Sequence, residues 1–340
     1  MHAQTVIAIL NFNGKKHLET YLPGVVNYSN GVRIAVIDNA STDDSVDFLK
    51  KNYPDIELVI NDQNYGFAGG YNKGLEKIQA TYFVLLNSDV EVTEGWLDAP
   101  LNMLARKDVA AVQPKIRAWN NRHYFEHAGA SGGFIDKYGF PFCRGRMFDT
   151  AEKDEGQYDN AVEVFWATGA CMFVKAELFF EAGGFDYDFF AHMEEIDLCW
   201  RLKLMGYKIM VEPSAVVYHL GGGTLGYMSP FKTRLNFRNS LYLLQKNTQH
   251  KRFGILLRRL CWDGVAGIRF LLHGNLSHFW AVLCSHFEFY SHLGINRRKR
   301  KMFRQKIKID TRASLTGMYY RSVVRGYFLQ QKKKFTDYEV

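Results

Sequence analysis

The chain has 340 residues, 47% of them hydrophobic and 15% aromatic, with a net charge of +8. That composition excludes a disordered or low-complexity chain and allows one large or two modest domains. The charge is divided: residues 231–340 hold 23 Lys/Arg against 5 Asp/Glu, a balance of +18, whereas the first 230 carry −10, so an acidic body precedes a basic region suited to an anionic partner.

Met1-His-Ala-Gln-Thr5 has no basic region, and Val6–Leu10 is too short for the apolar stretch of a secretory leader. Thr5 to Leu10 reads as a buried strand ending in Asn11-Phe-Asn-Gly14, with an amphipathic helix from about Lys15 to Val26. A second strand, Val32 to Ile37, stops at Asp38-Asn-Ala-Ser-Thr-Asp-Asp44, whose small oxygen-bearing residues suit a helix N-terminus. That helix runs to about Asn52, before Pro54. Glu57 to Ile60 is a third strand, followed by Asn61-Asp-Gln-Asn-Tyr-Gly-Phe-Ala-Gly-Gly70 and a helix from about Gly70 to Gln79. Strands alternating with helices at this spacing predict a mostly parallel, doubly wound α/β sheet.

Tyr82 to Leu86 is the next buried strand, and it breaks into Asn87-Ser-Asp89. Polar side chains at the carboxyl end of a buried strand lie where open α/β sheets bind ligands. Asp89 offers a hard anionic oxygen of the kind Mg²⁺ or Mn²⁺ takes when it also holds a diphosphate. An Asn/Ser/Asp turn with no ligand explains the same tripeptide. Asp38, after the second strand, suits a ribose or base edge, and Gly66, Gly69 and Gly70 allow close backbone approach at a helix start. The glycine spacing differs from Gly-x-Gly-x-x-Gly after a first strand, which disfavours a dinucleotide oxidoreductase.

Thr93 is expected to cap a helix from Glu94 to about Arg106, and Val109 to Val112 forms another strand. Lys115 to Asn160 reads as loops and hairpins. Val164 to Val174 is an apolar strand interrupted by Thr168 and Gly169, and the helix from about Lys175 to Ala182 ends at Gly183-Gly184. Five carboxylates follow among aromatic residues: Asp186, Asp188, Glu194, Glu195 and Asp197. With a helix starting near Glu194, Asp197 and Arg201 form a structural i,i+4 pair. Glu194 and Glu195 repel each other in its first turn, which raises the pKa of one and suits a general base; a solvated acidic helix start is the alternative. Short strands at Ile209–Val211 and Ala215–Tyr218 flank Pro213 and deliver His219 to a glycine loop, Gly221-Gly-Gly-Thr224.

In order and spacing, these residues resemble glycosyltransferase family 2, inverting enzymes with the nucleotide-sugar-binding GT-A fold, and within it the rhamnosyltransferase-type branch that builds bacterial surface polysaccharides. The resemblance covers about residues 4 to 245. It rests on Asn11-Phe-Asn-Gly14, Val36-Ile-Asp-Asn-Ala-Ser-Thr-Asp43, Asn64-Tyr-Gly-Phe-Ala-Gly-Gly-Tyr-Asn72, Leu85-Leu-Asn-Ser-Asp-Val90, Gly183-Gly-Phe-Asp186, Glu194-Glu-Ile-Asp-Leu-Cys-Trp-Arg201 and His219.

It implies that Asp89 binds a divalent cation, Mg²⁺ or Mn²⁺, with His219 near the metal and phosphates. Asp38 would contact the base; Asn11, Asn13, Asn64, Gly66 and Asn87 would lie along the nucleotide pocket. Glu195, beside Glu194, occupies the base position. Two departures are plain: Asn87 stands where the family has the first acid of Asp-x-Asp, and Glu195 stands where many relatives have Asp. The implied reaction moves a sugar from a nucleoside-diphosphate sugar, dTDP-rhamnose-like or UDP-linked, to a hydroxyl of a glycan or lipid-linked acceptor. A catalytically silent nucleotide-sugar-binding protein, or a membrane-binding scaffold, is the rival reading.

Beyond Phe231, Lys251–Trp262 can form a helix with one basic and one apolar face; Ile268–Leu272 and Phe279–Cys284 add apolar surface and Arg297–Lys301 adds charge. Such helices lie in membrane interfaces, although an ordinary helical subdomain would look alike. No nucleic-acid motif is present, and no nucleic acid is expected. Five scattered cysteines without a Cys-x-x-Cys pair fit a reducing compartment. The expectation is therefore a GT-A transferase domain over 1–235 and a helical basic extension over 236–340, cytoplasmic and peripheral on the inner face of the cytoplasmic membrane.

Overall fold

The computed structural model describes residues 4–126, 129–221, 229–311 and 313–340. In its first part strands and helices alternate: β1 (Thr5–Asn11), α1 (Lys15–Tyr28), β2 (Arg33–Asp38), α2 (Ser45–Asn52), β3 (Glu57–Ile60), α3 (Gly66–Leu75) and β4 (Tyr82–Asn87). β5 (Val90–Val92), α4 (Asp98–Leu104) and β6 (Val109–Ala118) follow. A set of short strands comes next: β7 (Gly133–Asp136), β8 (Pro141–Cys143), β9 (Arg146–Met147) and β10 (Thr150–Ala151). β11 (Val162–Val164), β12 (Cys171–Lys175), α5 (Ala176–Glu181), α6 (Glu194–Leu204) and β13 (Lys208–His219) complete the sheet region. Then α7 (Pro230–Asn247), α8 (Arg252–Leu272), α9 (Leu276–Ser291) and α10 (Leu293–Phe303) lead to β14 (Met318–Tyr319) and α11 (Val323–Leu329).

The main sheet has the order β11-β13-β6-β12-β4-β1-β2-β3, with β5 paired to β13. β3, β2, β1 and β4 are parallel neighbours, as are β6 and β13, whereas β12, β11 and β5 run antiparallel. Along β1 successive side chains enter opposite cores: Val6 and Ala8 join the layer of α3, α5 and α6, while Ile7 and Ile9 join the layer of α1, α2 and α4. Burial on both faces explains why these strands read as continuous apolar runs. In register, Asn11 lies opposite Asp38, Leu10 opposite Asn87, and Asp38 opposite Ile60. The polar residues that end the parallel strands therefore reach one rim together.

Several boundaries differ from expectation. The helix expected from Gly70 starts at Gly66, whose φ of +69° turns the chain directly into the first turn. The helix expected from Glu94 starts at Asp98, because the Thr93 hydroxyl donates to the Val216 carbonyl (2.8 Å) instead of capping. β6 continues through Lys115 to Ala118, where a loop was expected, because β13 runs beside it throughout. β13 is itself one strand; Pro213 sits in a bulge between Glu212 and Val216 rather than ending it. The stretch expected as one strand from Val164 to Val174 holds only the last residue of β11 and most of β12, with residues 165–170 between them in neither strand. The helix expected over 251–262 continues to Leu272. Residues 222–224 of the glycine loop lie outside the described residues.

α7 spans residues 235 and 236 without interruption. It packs on α6, α8 and α9, while β14 joins the small sheet as a parallel neighbour of β7.

Candidate functional site

The rim is built by side chains bonding one another across strand ends. Asn11 Nδ2 donates to Asp38 Oδ2 (3.0 Å) and Ser41 Oγ (3.1 Å), and the Ser41 amide donates to Asp38 Oδ1 (2.9 Å). Asn13, at φ +51°, accepts at Oδ1 from the Thr42 amide (2.7 Å). Asn39 links these turns to the next: its Nδ2 donates to Asn64 Oδ1 (2.9 Å) and the Gly66 carbonyl (3.0 Å). Its Oδ1 accepts from Asn61 Nδ2 (3.1 Å) and the Tyr65 amide (3.2 Å). A buried Oδ1 of Asn11 remains without a protein partner, an acceptor the rim leaves over. Thus Asn11, Asn13, Asp38, Asn64 and Gly66 are brought together.

β5 supplies the next part. Its pairing sets Val90 opposite His219, so Asp89 meets the end of β13, and the Leu220 amide donates to the Asp89 carbonyl (3.1 Å). His219 Nε2 lies 3.2 Å from Asp89 Oδ1, and Nδ1 lies 3.2 Å from Glu126 Oε2. Asn87 Nδ2 is 3.5 Å from His219 Nε2. Burial opposes a charged imidazole, but hydrogen bonding to Asp89 and Glu126 and their charges outweigh it and push His219 up to about 10. Burial likewise works against the Asp89 carboxylate, and His219 holds it below the usual range nonetheless.

Asp89 and, once a bound cation displaces its Nε2 proton, His219 would be the protein donors for a small divalent cation. A carboxylate oxygen and an imidazole nitrogen converge, and Glu126 on the far ring nitrogen orients the imidazole as carboxylates do behind metal-bound histidines. Among the described residues no three His, Cys, Asp or Glu are already spaced as a metal cage. Oxygens of water and diphosphate would complete such a shell, as is usual for Mg²⁺. Sequence reasoning missed Glu126, which lies between strands in a stretch with no periodicity.

The acidic pair comes to the rim from α6. Glu194 is buried and Glu195 only partly so, and each has one carboxylate oxygen buried without a hydrogen-bond partner. Burial pushes Glu195 up to about 7; burial and the neighbouring charge raise Glu194 well above the usual carboxylate range. A Cβ added at Gly169 would stand 4.0 Å from that of Glu195. Gly169 adjoins Ala170, whose carbonyl accepts from the Asn87 amide (3.0 Å). Glu195 thus borders the same rim as Asn87. Asp197 has the structural role expected: Arg201 Nε donates to its Oδ2 (2.8 Å) while the guanidinium also binds the Ala182 and Gly184 carbonyls.

The loop leading into Glu194 is held in an unusual backbone. Phe190, His192 and Met193 have φ of +63°, +70° and +74°, conformations that cost energy for side chains of this size and persist only where surroundings impose them. From α7, buried Asn239 Nδ2 contacts the carbonyls of Phe189 (3.0 Å), Ala191 (2.9 Å) and His192 (2.7 Å), and Arg238 binds those of Asp188 and Phe189. From the other side the Phe67 and Ala68 amides donate to the Phe190 carbonyl. A Cβ at Gly66 would fall 2.5 Å from the Phe190 ring, so the close approach that this glycine permits is to the loop. Sequence reasoning missed Asn239; its one signal is a polar residue of low helix propensity in the middle of a helix. Two clefts of about 560 and 580 Å³ lie elsewhere and contain none of these residues.

Residues 6–171 match the family model Glycosyl transferase family 2. Over 230 residues the chain is 26% identical to the N-acetylglucosaminyl-diphospho-decaprenol L-rhamnosyltransferase of Mycobacterium tuberculosis, covering 63% of this chain and 75% of the relative. It is 27% identical over 215 residues to the pre-mycofactocin glycosyltransferase of the same organism, covering 62% of this chain and 40% of that protein. Among solved structures, GalNAc-T7 with UDP, GalNAc and Mn²⁺ superposes with a TM-score of 0.57 at 14% identity, over 73% of this chain and 48% of that one.

Proposed function

We propose that this chain, a member of glycosyl transferase family 2 built on the GT-A fold, moves a sugar from a nucleoside-diphosphate sugar to an acceptor hydroxyl with inversion at the anomeric carbon. The observation that carries the reading is the pairing of two opposed environments on one rim. Asp89 with His219 suits a cation-bound diphosphate, and across the Asn87–Ala170 contact stands Glu195, a carboxylate whose pKa burial sets near 7.

Asp38 and Asn11 bind the base, with Asn13, Asn64 and Gly66 forming the wall behind it and Asn87 at the phosphate end. Glu195 accepts the proton of the acceptor hydroxyl as its oxygen bonds to the anomeric carbon. The bond from that carbon to the diphosphate oxygen breaks on the opposite face, so a single displacement inverts the centre. Asp89 and His219 would hold Mg²⁺ or Mn²⁺, which would supply positive charge against the leaving diphosphate. Glu194 is more buried than Glu195, and burial together with the Glu195 charge raises its pKa well above the usual carboxylate range. The name of the mycobacterial relative supports transfer of a rhamnosyl group to a lipid-diphosphate glycan acceptor, and the donor we propose is dTDP-rhamnose-like or UDP-linked. A lipid-linked acceptor in turn favours a peripheral position on the cytoplasmic face of the membrane; among the described residues no helix is long and apolar enough to cross it.

The test is acceptor-dependent release of nucleoside diphosphate from dTDP-, UDP- and GDP-sugars, with and without Mn²⁺, using a polyprenyl-diphosphate-linked N-acetylglucosamine acceptor. Transfer from one donor, lost in Asp89→Ala, is expected. Donor binding without transfer under every condition would favour the silent binding protein, the reading that Asn87 in place of an acid suggests.

A further inference from the structure

α8 and α9 fold back on each other through residues 273–275, and both pack on α7. Their outer surface is the reverse of an ordinary solvent face. Phe253, Leu257, Val265, Ile268 and Leu272 recur at helical spacing on the exposed side of α8. On α9, Leu276, Trp280 and Phe287 are exposed as well. Leu272 is 79% exposed, Leu276 65% and Trp280 63%. A contiguous apolar surface of this kind marks an interaction site rather than ordinary scatter.

Charge selects the partner. Between residues 251 and 287 the only acidic residue is Asp263, which is buried and accepts from Arg259 Nε (2.7 Å). Lys251 just before α8 and Arg258 and Arg269 on it are exposed, as are Arg297, Arg298 and Lys301 on α10. An apolar face bordered by cations, with no exposed carboxylate over 37 residues, matches the interface of an anionic bilayer.

Position gives this surface a purpose. Thr233 Oγ1 and His278 Nδ1 lie 2.9 Å apart, which ties the start of α9 to the start of α7. The neighbouring Lys232 is near enough to Glu126 to interact with its charge. The α8–α9 turn therefore stands at the same end of α7 as the His219–Glu126 side of the rim.

We propose that the outer face of α8 and α9 docks on an anionic lipid surface, with Leu272, Leu276 and Trp280 entering the interface at the His219–Glu126 end of the rim. The purpose assigned to docking rests on the transferase reading; lipid binding itself does not.

The experiment is flotation of the full chain with vesicles of phosphatidylglycerol and phosphatidylcholine, or of phosphatidylcholine alone, alongside the Leu272→Glu/Leu276→Glu/Trp280→Glu variant. Wild type should partition onto the anionic vesicles about tenfold or more better than the variant, and better than onto phosphatidylcholine. Thermal melting and diphosphate release with a short-chain, water-soluble acceptor should match in both proteins, which separates a failure of docking from a failure of the transferase reading. A second variant, Phe253→Ser/Leu257→Ser, reports on the other end of the face should the first misfold. Equal partition of wild type and variants would overturn the proposal. So would a wild-type dimer that the variant dissociates, with no vesicle binding, since a second copy would then cover the face.

Discussion

Glu195 is placed where catalysis and stability pull apart. As the proposed base it would act ionised, so kcat/KM should fall as pH drops below about 7, the value to which burial raises it. Linkage has the opposite sense. The folded chain keeps this proton up to about 7, whereas the ordinary value is 4.5, so the stability this group contributes declines as pH rises across that window. Glu195→Gln should therefore lose about 10²–10⁴-fold in kcat and melt at a higher temperature than wild type at pH 8. If Glu194→Gln has the larger kinetic effect, the two roles are reversed. Glu126→Gln should weaken Mn²⁺ binding, read by thermal shift, by roughly 10–100-fold, as loss of a carboxylate behind a metal-bound histidine does. Asp38, Asp89, Glu195 and His219 stood out in the sequence because each breaks an apolar run or opens a helix. Glu126 and Asn239 did not, and Asn39 was legible only as part of its motif, because the partners of all three are chosen by tertiary approach.

The element that sets the geometry of the acidic pair is α7. Asn239 bonds three carbonyls of the loop that precedes Glu194, and the left-handed backbone at His192 and Met193 persists under that restraint. Asn239→Ala should cost about 1–3 kcal/mol of stability for the carbonyls left unpaired. It should also lower kcat with little change in donor KM and move the acid limb of the pH profile, which a purely structural loss would leave in place. The order of strands and helices through β4 was legible because strands buried on both faces are unmistakable runs. Boundaries failed where a neighbour overrode the local signal. Pro213 lies in a bulge of a strand held by β6, and Thr93 turns its hydroxyl to β13. The Phe190 carbonyl accepts from the Phe67 and Ala68 amides, so the helix begins at Gly66 rather than at Gly70.

Across the whole molecule, the acidic body and the basic C-terminal region are joined by buried charge. Lys246 of α7 pairs with Asp186 and Asp197, Lys299 of α10 with Asp186 and Asp188, and Asn247 donates to Asp197 (2.7 Å). Burial disfavours the Asp186 carboxylate, but Lys246 and Lys299 overcome it and hold it well below the usual range. Lys246→Met, which leaves Asp186 to Lys299 and Asp197 to Arg201 and Asn247, should destabilise by roughly 1–3 kcal/mol in a denaturant titration. A chain ending at residue 235 severs α7 and should fail to show a cooperative melt. The net charges of −10 and +18 announced the two regions in the sequence, but not that the second braces the loop before Glu194, since composition carries no contact information. The most direct test of the account is acceptor-dependent diphosphate release by Glu195→Gln, measured beside its donor affinity. Turnover reduced by about 10²–10⁴-fold with donor binding unchanged is the predicted result; wild-type turnover in this variant would contradict it.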